Sequence, residues 1–169
     1  MRPVFLIGFM GAGKTTVGRT LAARSGRHFA DLDEEIVRAE GTAVAAIFEA
    51  GGEAAFRASE RRVLRELARD EDGVIACGGG VVTDEESRAI LKCAGTVVYL
   101  AVSPEEAVLR IGAATEARPL LPGELHATGA LMAAREPLYA ACADFTVDTS
   151  GRSAERVAQA VAELLDARS

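Results

Sequence analysis

The sequence predicts an α/β fold, a parallel, doubly wound sheet with helices on both faces. Short apolar or β-branched runs alternate with stretches of helical periodicity, and the connections between them are short. The runs are apolar at successive positions, as in strands covered on both sides. Several lead straight into glycine-rich or acidic turns at their carboxyl ends, where such sheets place their ligands. With 169 residues, 49% of them hydrophobic and only 5 prolines, the chain suits one domain spanning 1–169.

Val4-Phe5-Leu6-Ile7 reads as the first buried strand, and Gly8-Phe9-Met10-Gly11-Ala12-Gly13-Lys14-Thr15 follows it. That octapeptide fits G-x-x-x-x-G-K-[ST] at every constrained position. Its glycines let successive N–H groups curl into one concavity, and the helix that follows adds its positive N-terminus. Lys14 can reach β- and γ-phosphates, and the Thr15 hydroxyl can ligate Mg²⁺. A short glycine-rich string also occurs in ordinary turns, but strand, loop and a helix carrying Val17 and Leu21 occur here in the required order. The expected nucleotide contacts are Gly11, Ala12, Gly13, Lys14, Thr15 and Thr16.

His28-Phe29-Ala30 is the second strand, ending in Asp31-Leu32-Asp33. A short helix to about Ala39 and a break at Gly41 come next. A further helical stretch carries Val44, Ile47 and Phe48 and closes at Gly51-Gly52. The clearest helix runs from Glu53 to Arg69, with Phe56, Val63, Leu64 and Leu67 on one face. Val74-Ile75-Ala76-Cys77 is the third strand and enters Gly78-Gly79-Gly80. Thr83-Asp84-Glu85-Glu86 has the form of a capping box, as does Ser103-Pro104-Glu105-Glu106 after the fourth strand, Thr96–Leu100. Thr115 to Ala127, with Pro119, Pro122 and Gly123, reads as a mobile loop. A helix through Arg135 and Tyr139, a strand at Phe145–Val147 and a helix from about Ser153 to Ala167 complete the chain.

Composition excludes several roles. A net charge of −6 argues against nucleic acid or an anionic membrane as partner. No apolar run approaches the roughly 20 residues of a membrane span. The N-terminus lacks the features of a signal peptide, so a cytoplasmic protein is expected. Cys77, Cys93 and Cys142 lack the paired spacing of a zinc site and read as reduced, mostly buried thiols. Lysine occurs only at positions 14 and 92, so an otherwise arginine-based surface keeps lysine where the phosphate motif demands it.

The other candidate residues carry two readings each. Asp31 and Asp33 can serve a metal shell and an acceptor hydroxyl, or Asp33 can cap a helix beginning at Glu34. Phosphate-loop enzymes hold Mg²⁺ with a second acid after a strand, and neither of the strands ending at Cys77 and Leu100 is followed at once by one. Asp31 is therefore the candidate metal partner of Thr15. Arg57 lies four residues after Glu53 and three before Glu60, which fits either a surface ion pair or a guanidinium fork held for a substrate carboxylate. Gly78, Gly79 and Gly80 offer unobstructed backbone donors or a flexible turn. Arg118 in the loop, Arg135 beyond it and Arg110 before it are candidate contacts to anions or to an adenine face.

Together these stretches resemble the shikimate kinase family over essentially the whole chain. The matching pieces, in order, are Gly8–Thr15, Asp31-Leu32-Asp33, Gly51–Glu60, Gly78–Gly80, Arg118–Leu121 and Arg135–Tyr139. The resemblance implies a nucleoside-monophosphate-kinase-like three-layer α/β/α fold, with five parallel strands in the order 2-3-1-4-5. It implies an acceptor-binding region at about 33–61 and a mobile lid at about 111–127. It also implies transfer of the γ-phosphoryl of ATP to the 3-hydroxyl of shikimate, on the route to chorismate and the aromatic amino acids. By position, Asp33 would serve the acceptor hydroxyl, while Arg57, Arg135 and the glycines would hold shikimate beside Glu60 and the walls Phe48 and Phe56. Lys14 and Arg118 would act on the phosphates, Arg110 would line the adenine site, and Thr15 and Asp31 would serve Mg²⁺. A monomer is the default expectation.

Two stretches depart from the family pattern: Ile111–Ala117 lacks the usual lysine or asparagine, and Asp148–Ser153 lacks a proline near the adenine. Rival readings are a gluconate-type kinase on the same fold, a nucleotide-dependent switch and a non-catalytic relative. A guanine-specific switch would carry N-K-x-D, which is absent.

Overall fold

The computed structural model of the chain describes residues 2–115 and 122–168. Five parallel strands, β1 (Val4–Ile7), β2 (His28–Asp31), β3 (Gly73–Ala76), β4 (Thr96–Ala101) and β5 (Phe145–Asp148), form one sheet in the order β2-β3-β1-β4-β5. The helices are α1 (Lys14–Ser25), α2 (Leu32–Glu40), α3 (Val44–Leu67), α4 (Glu85–Ala94), α5 (Pro104–Thr115), α6 (Pro122–Cys142) and α7 (Ala154–Arg168).

The alternation of the strands divides the core. Val4 and Leu6 of β1 point to the face covered by α1 and α7, where Val17, Leu21, Val157 and Val161 are buried. Phe5 and Ile7 point to the other face, packed with Leu32, Ile36, Val63, Leu64, Leu91 and Tyr139. Both faces of a parallel sheet must be covered, which is why β1 and β4 are apolar at nearly every position. The strand order runs outward from β1 in both directions, so the crevice at the carboxyl end of β1 is the switch point where α/β sheets bind ligands. Register brings Asp31 level with Ala76 and Leu6 level with the same residue, so the ends of three strands open into one place.

Several expected boundaries shift for local physical reasons. Asp31, not Asp33, caps α2: its side chain accepts the Asp33 backbone N–H at 3.1 Å, and the helix begins one residue later at Leu32. Asp84, not Thr83, caps α4 by accepting the Ser87 N–H at 2.9 Å, while Thr83 closes a 3₁₀ turn on the Gly80 carbonyl. The expected break at Gly51-Gly52 is present: α3 consists of two helical segments that part at Gly52, whose φ of 68° and ψ of −166° lie outside helical space. The expected loop at 115–127 is shorter, since α6 begins at Pro122, a residue well suited to a first helical turn that needs no N–H donor. Residues 116–121, including Arg118, lie outside the described residues. Cys77 and Cys142 are buried as expected, but Cys93 is exposed.

Candidate active site

The phosphate loop joins β1 to α1 under tight steric terms. Gly8 has φ 148°, and a Cβ there would stand 2.5 Å from the Leu100 carbonyl oxygen. Only glycine permits that turn, and the turn carries the loop back over the sheet. Lys14 curls onto this loop, donating from Nζ to the carbonyls of Gly8 at 2.8 Å and Phe9 at 2.9 Å. Burial pulls its pKa down to about 8, against the opposing pull of neighbouring acids that include Asp33 and Asp31.

Thr15 donates to Asp31 Oδ2 at 2.8 Å, while Asp31 Oδ1 takes the Asp33 N–H. The cap of α2 and the first turn of α1 are thereby held together, with a hydroxyl and a carboxylate oxygen side by side. Such hard oxygen donors suit Mg²⁺, which uses one or two protein ligands and keeps its waters.

Asp33 sits in the first turn of α2 with Oδ1 against Gly78, 3.0 Å from where a Cβ would stand. Burial raises its pKa, the adjacent Asp31 charge adds to the rise, and Lys14 and Arg57 oppose it. Arg57, on α3 just past the Gly52 kink, lies over Gly80, where a Cβ would meet Nη2 at 2.5 Å. Its Nη1 donates to Glu60 at 2.7 Å and its Nη2 reaches Glu53 at 3.5 Å. The surface-ion-pair reading fails for the first of these, because the Glu60 side chain is only 1% exposed. Burial raises the pKa of Glu60 despite the guanidinium. Arg57 Nε and Glu60 Oε2 are buried without a hydrogen-bond partner among the described residues. The Phe56 ring lies under the Arg57 guanidinium and stacks on Phe48 at 4.9 Å, with Phe48 at the exposed mouth.

Arg135 reaches the same crevice from α6. Its guanidinium carbon lies 5.9 Å from the centroid of the Phe9 ring, and Nη1 is 3.8 Å from where a Cβ on Gly79 would stand. Asp33, Arg57, Arg135 and the three glycines therefore converge beside the phosphate loop.

On the far side of the loop a cavity of about 300 Å³ is bordered by Ala12, Gly13, Thr16, Arg110, Thr149 and Arg152. Arg110 Nη1 donates to the Gly11 carbonyl and to Thr149 Oγ1, both at 3.1 Å, and Nη2 donates to the Thr149 carbonyl at 2.7 Å. Glu106 bonds Arg110 and also accepts the Gly151 N–H at 2.7 Å. Sequence reasoning reached Arg110 but not Glu106 or Thr149. The spacing of four between Glu106 and Arg110 was the available signal for the first. No local signal marked Thr149.

The chain is similar to known proteins over nearly its whole length. Residues 10–166 match the family model described as shikimate kinase. The chain is 44% identical over 164 residues to the shikimate kinase of Streptomyces coelicolor, covering 96% of this chain and 95% of the relative. It is 47% identical over 163 residues to that of Thermobifida fusca, covering 96% and 94%. It superposes with a TM-score of 0.90 on the shikimate kinase of Acinetobacter baumannii in complex with shikimate, at 39% identity, covering 99% of this chain and 94% of that one.

Proposed function

The chain belongs to the shikimate kinase family, and from that premise we propose that it transfers the γ-phosphoryl of ATP to the 3-hydroxyl of shikimate, giving shikimate 3-phosphate and ADP. The observation that carries the proposal is the convergence of Asp33, Arg57, Arg135 and Gly78–Gly80 beside the phosphate loop. A small carboxylated polyol needs guanidinium forks for its carboxylate and a carboxylate for its hydroxyls, and the crevice holds both.

In this reading Lys14 leaves the Gly8 and Phe9 carbonyls for the phosphates of the incoming nucleotide. The adenosine enters the cavity bordered by Arg110 and Thr149. Arg57 and Arg135 bind the acceptor carboxylate, and Gly79 and Gly80 line its floor. Asp33 orients the 3-hydroxyl and accepts its proton as the phosphoryl group arrives. Its raised pKa suits that step, because a carboxylate of ordinary acidity is a weaker base. Glu60 holds the Arg57 fork, and Phe48 and Phe56 wall the pocket. Thr15 and Asp31 would hold Mg²⁺, which when bound neutralises charge on the β- and γ-phosphates. Arg118 is assigned to the phosphates on the resemblance alone. Most of the rate comes from positioning and charge neutralisation.

The same proposal places the enzyme in the cytoplasm as a monomer. Among the described residues no helix is long and apolar enough to cross a membrane.

The test is ADP release from Mg-ATP by purified protein with shikimate, quinate, gluconate or no acceptor. Strong stimulation by shikimate alone is expected. Stimulation by gluconate, itself a carboxylated polyol, would leave the carboxylate forks in place and overturn shikimate as the acceptor, and no stimulation by any acceptor would overturn the proposal.

A further inference from the structure

Arg135 and Tyr139 stand four residues apart on α6 and so share one face of that helix. Only Arg135 has a role so far. Tyr139 is 1% exposed, its ring stacks on Tyr99 with centroids 5.0 Å apart and planes 18° apart, and its hydroxyl donates to the Gly79 carbonyl. Burial pushes that hydroxyl's pKa up to about 12, so it stays a donor throughout the physiological range.

A core tyrosine commonly satisfies its hydroxyl on a nearby carbonyl, and that would be the whole story at most positions. Here the carbonyl belongs to the middle of the glycine triplet. The Gly79 C=O and the Gly80 N–H lie in one planar trans peptide and point in opposite directions. Anchoring the carbonyl on Tyr139 therefore aims the Gly80 N–H away from the tyrosine hydroxyl. The neighbouring peptides are fixed, with Val81 N–H on the Gly78 carbonyl at 3.1 Å and Thr83 N–H on the Gly80 carbonyl at 3.0 Å. The central Gly79–Gly80 plane, by contrast, has no side chain on either flank to keep it from turning between them. Arg135 approaches the same glycine from one helical turn before Tyr139, its Nη1 3.8 Å from where a Cβ on Gly79 would stand, and Arg57 covers Gly80 from α3.

We propose that Tyr139 is a positioning residue for the acceptor: its hydroxyl holds the Gly79–Gly80 peptide plane in one orientation relative to the Arg135 guanidinium, which the same helix carries one turn earlier. Guanidinium fork and backbone donor then meet the same small carboxylated ligand. This rests on the acceptor reading of Gly79, Gly80 and Arg135 given above.

Tyr139→Phe keeps the ring, its stack and its burial and removes only the hydroxyl. Tyr99→Phe is the control for the other ring of the stack. Steady-state kinetics in both substrates, shikimate binding by calorimetry and Tm should be measured for wild type and both variants. The shikimate KM and Kd of Tyr139→Phe should rise about five- to tenfold, the loss of roughly one hydrogen bond's net contribution. Its ATP KM should stay near wild type, and Tyr99→Phe should resemble wild type in both substrates. An unchanged shikimate KM would overturn the proposal. So would a parallel rise of both KM values with a fall in Tm, because a hydroxyl serving only the fold would act that way. If wild type itself neither binds nor phosphorylates shikimate, the acceptor reading fails and takes this proposal with it. That failure is read from wild type alone, before any variant is compared.

Discussion

The two sides of the crevice wait for their ligands in opposite ways. On the nucleotide side the charged groups rest on internal stand-ins: Lys14 on the Gly8 and Phe9 carbonyls, Arg110 on Gly11 and Thr149, and Thr15 on Asp31. On the acceptor side Arg57 Nε and Glu60 Oε2 are buried with no hydrogen-bond partner among the described residues. A buried polar atom left unpaired costs about 1–3 kcal/mol, so a polar ligand or ordered water that pairs with either atom is favoured there. The nucleotide side must instead trade existing bonds for new ones. One fold thus separates two binding problems: a phosphate cradle made by local backbone, and a polar pocket assembled from α2, α3, α6 and the turn after β3.

The largest effect should come from Asp33, which stands between the two sides. Asp33→Asn preserves shape and removes the basic oxygen, so kcat should fall on the order of 10²- to 10⁴-fold while equilibrium binding of ATP persists. Normal turnover in that variant would return Asp33 to a structural role and dissolve the boundary between the sides.

Next is the acceptor clamp. Arg57→Ala should raise the shikimate KM roughly 10- to 100-fold, the scale of lost charge-assisted hydrogen bonds, with a far smaller change for ATP. It should also lower Tm, because Glu60 is left buried without its cation. The double variant Arg57→Ala/Glu60→Gln should recover most of the Tm and none of the KM. Recovery of both together would mean that the pair serves the fold alone.

The smallest signal is a proton. The folded pKa of Lys14 is about 8, below its ordinary 10.5, because burial penalises the ammonium. An unfolded chain therefore binds more protons between about pH 8 and 10.5, and ligand-free stability should gain from Lys14 deprotonation across that window. ATP phosphates favour the ammonium and raise its pKa. ATP binding near pH 8–9 should thus take up a fraction of a proton, fading towards pH 7, where Lys14 is already charged. Calorimetry in buffers of different ionisation enthalpy measures this. Lys14→Met should abolish the uptake; if uptake persists in that variant, Lys14 is not the linked group.

How much was legible in advance follows the same division. The nucleotide side announces itself in one contiguous octapeptide, because a phosphate cradle is built from successive backbone N–H groups and the first turn of the next helix. The acceptor side comes from α2, α3, the turn after β3 and α6. Taken residue by residue, Arg57 fits a surface ion pair or a carboxylate fork, and only its burial against Glu60 excludes the first. The alternative reading of Asp33 as the cap of α2 is excluded only in three dimensions: Asp31 and Asp33 are both acceptable caps by residue type, and the bond from the Asp33 N–H to Asp31 and the onset at Leu32 distinguish them. The onset of α6 was set too late because Pro122 and Gly123 read as a loop, although proline in a first turn costs a helix little.

By itself the sequence determined the α/β class, the strand positions and the phosphate loop, since periodicity and short motifs are properties of neighbouring residues. The resemblance of six ordered motifs added the family. Only the tertiary structure decided which atoms meet across the crevice: Thr15 with Asp31 at a separation of 16 residues, Tyr139 with Gly79 at 60, and Arg110 with Gly11 at 99. Those contacts exist because a parallel sheet brings the carboxyl ends of strands far apart in the chain to one edge, and that edge has no counterpart in local sequence.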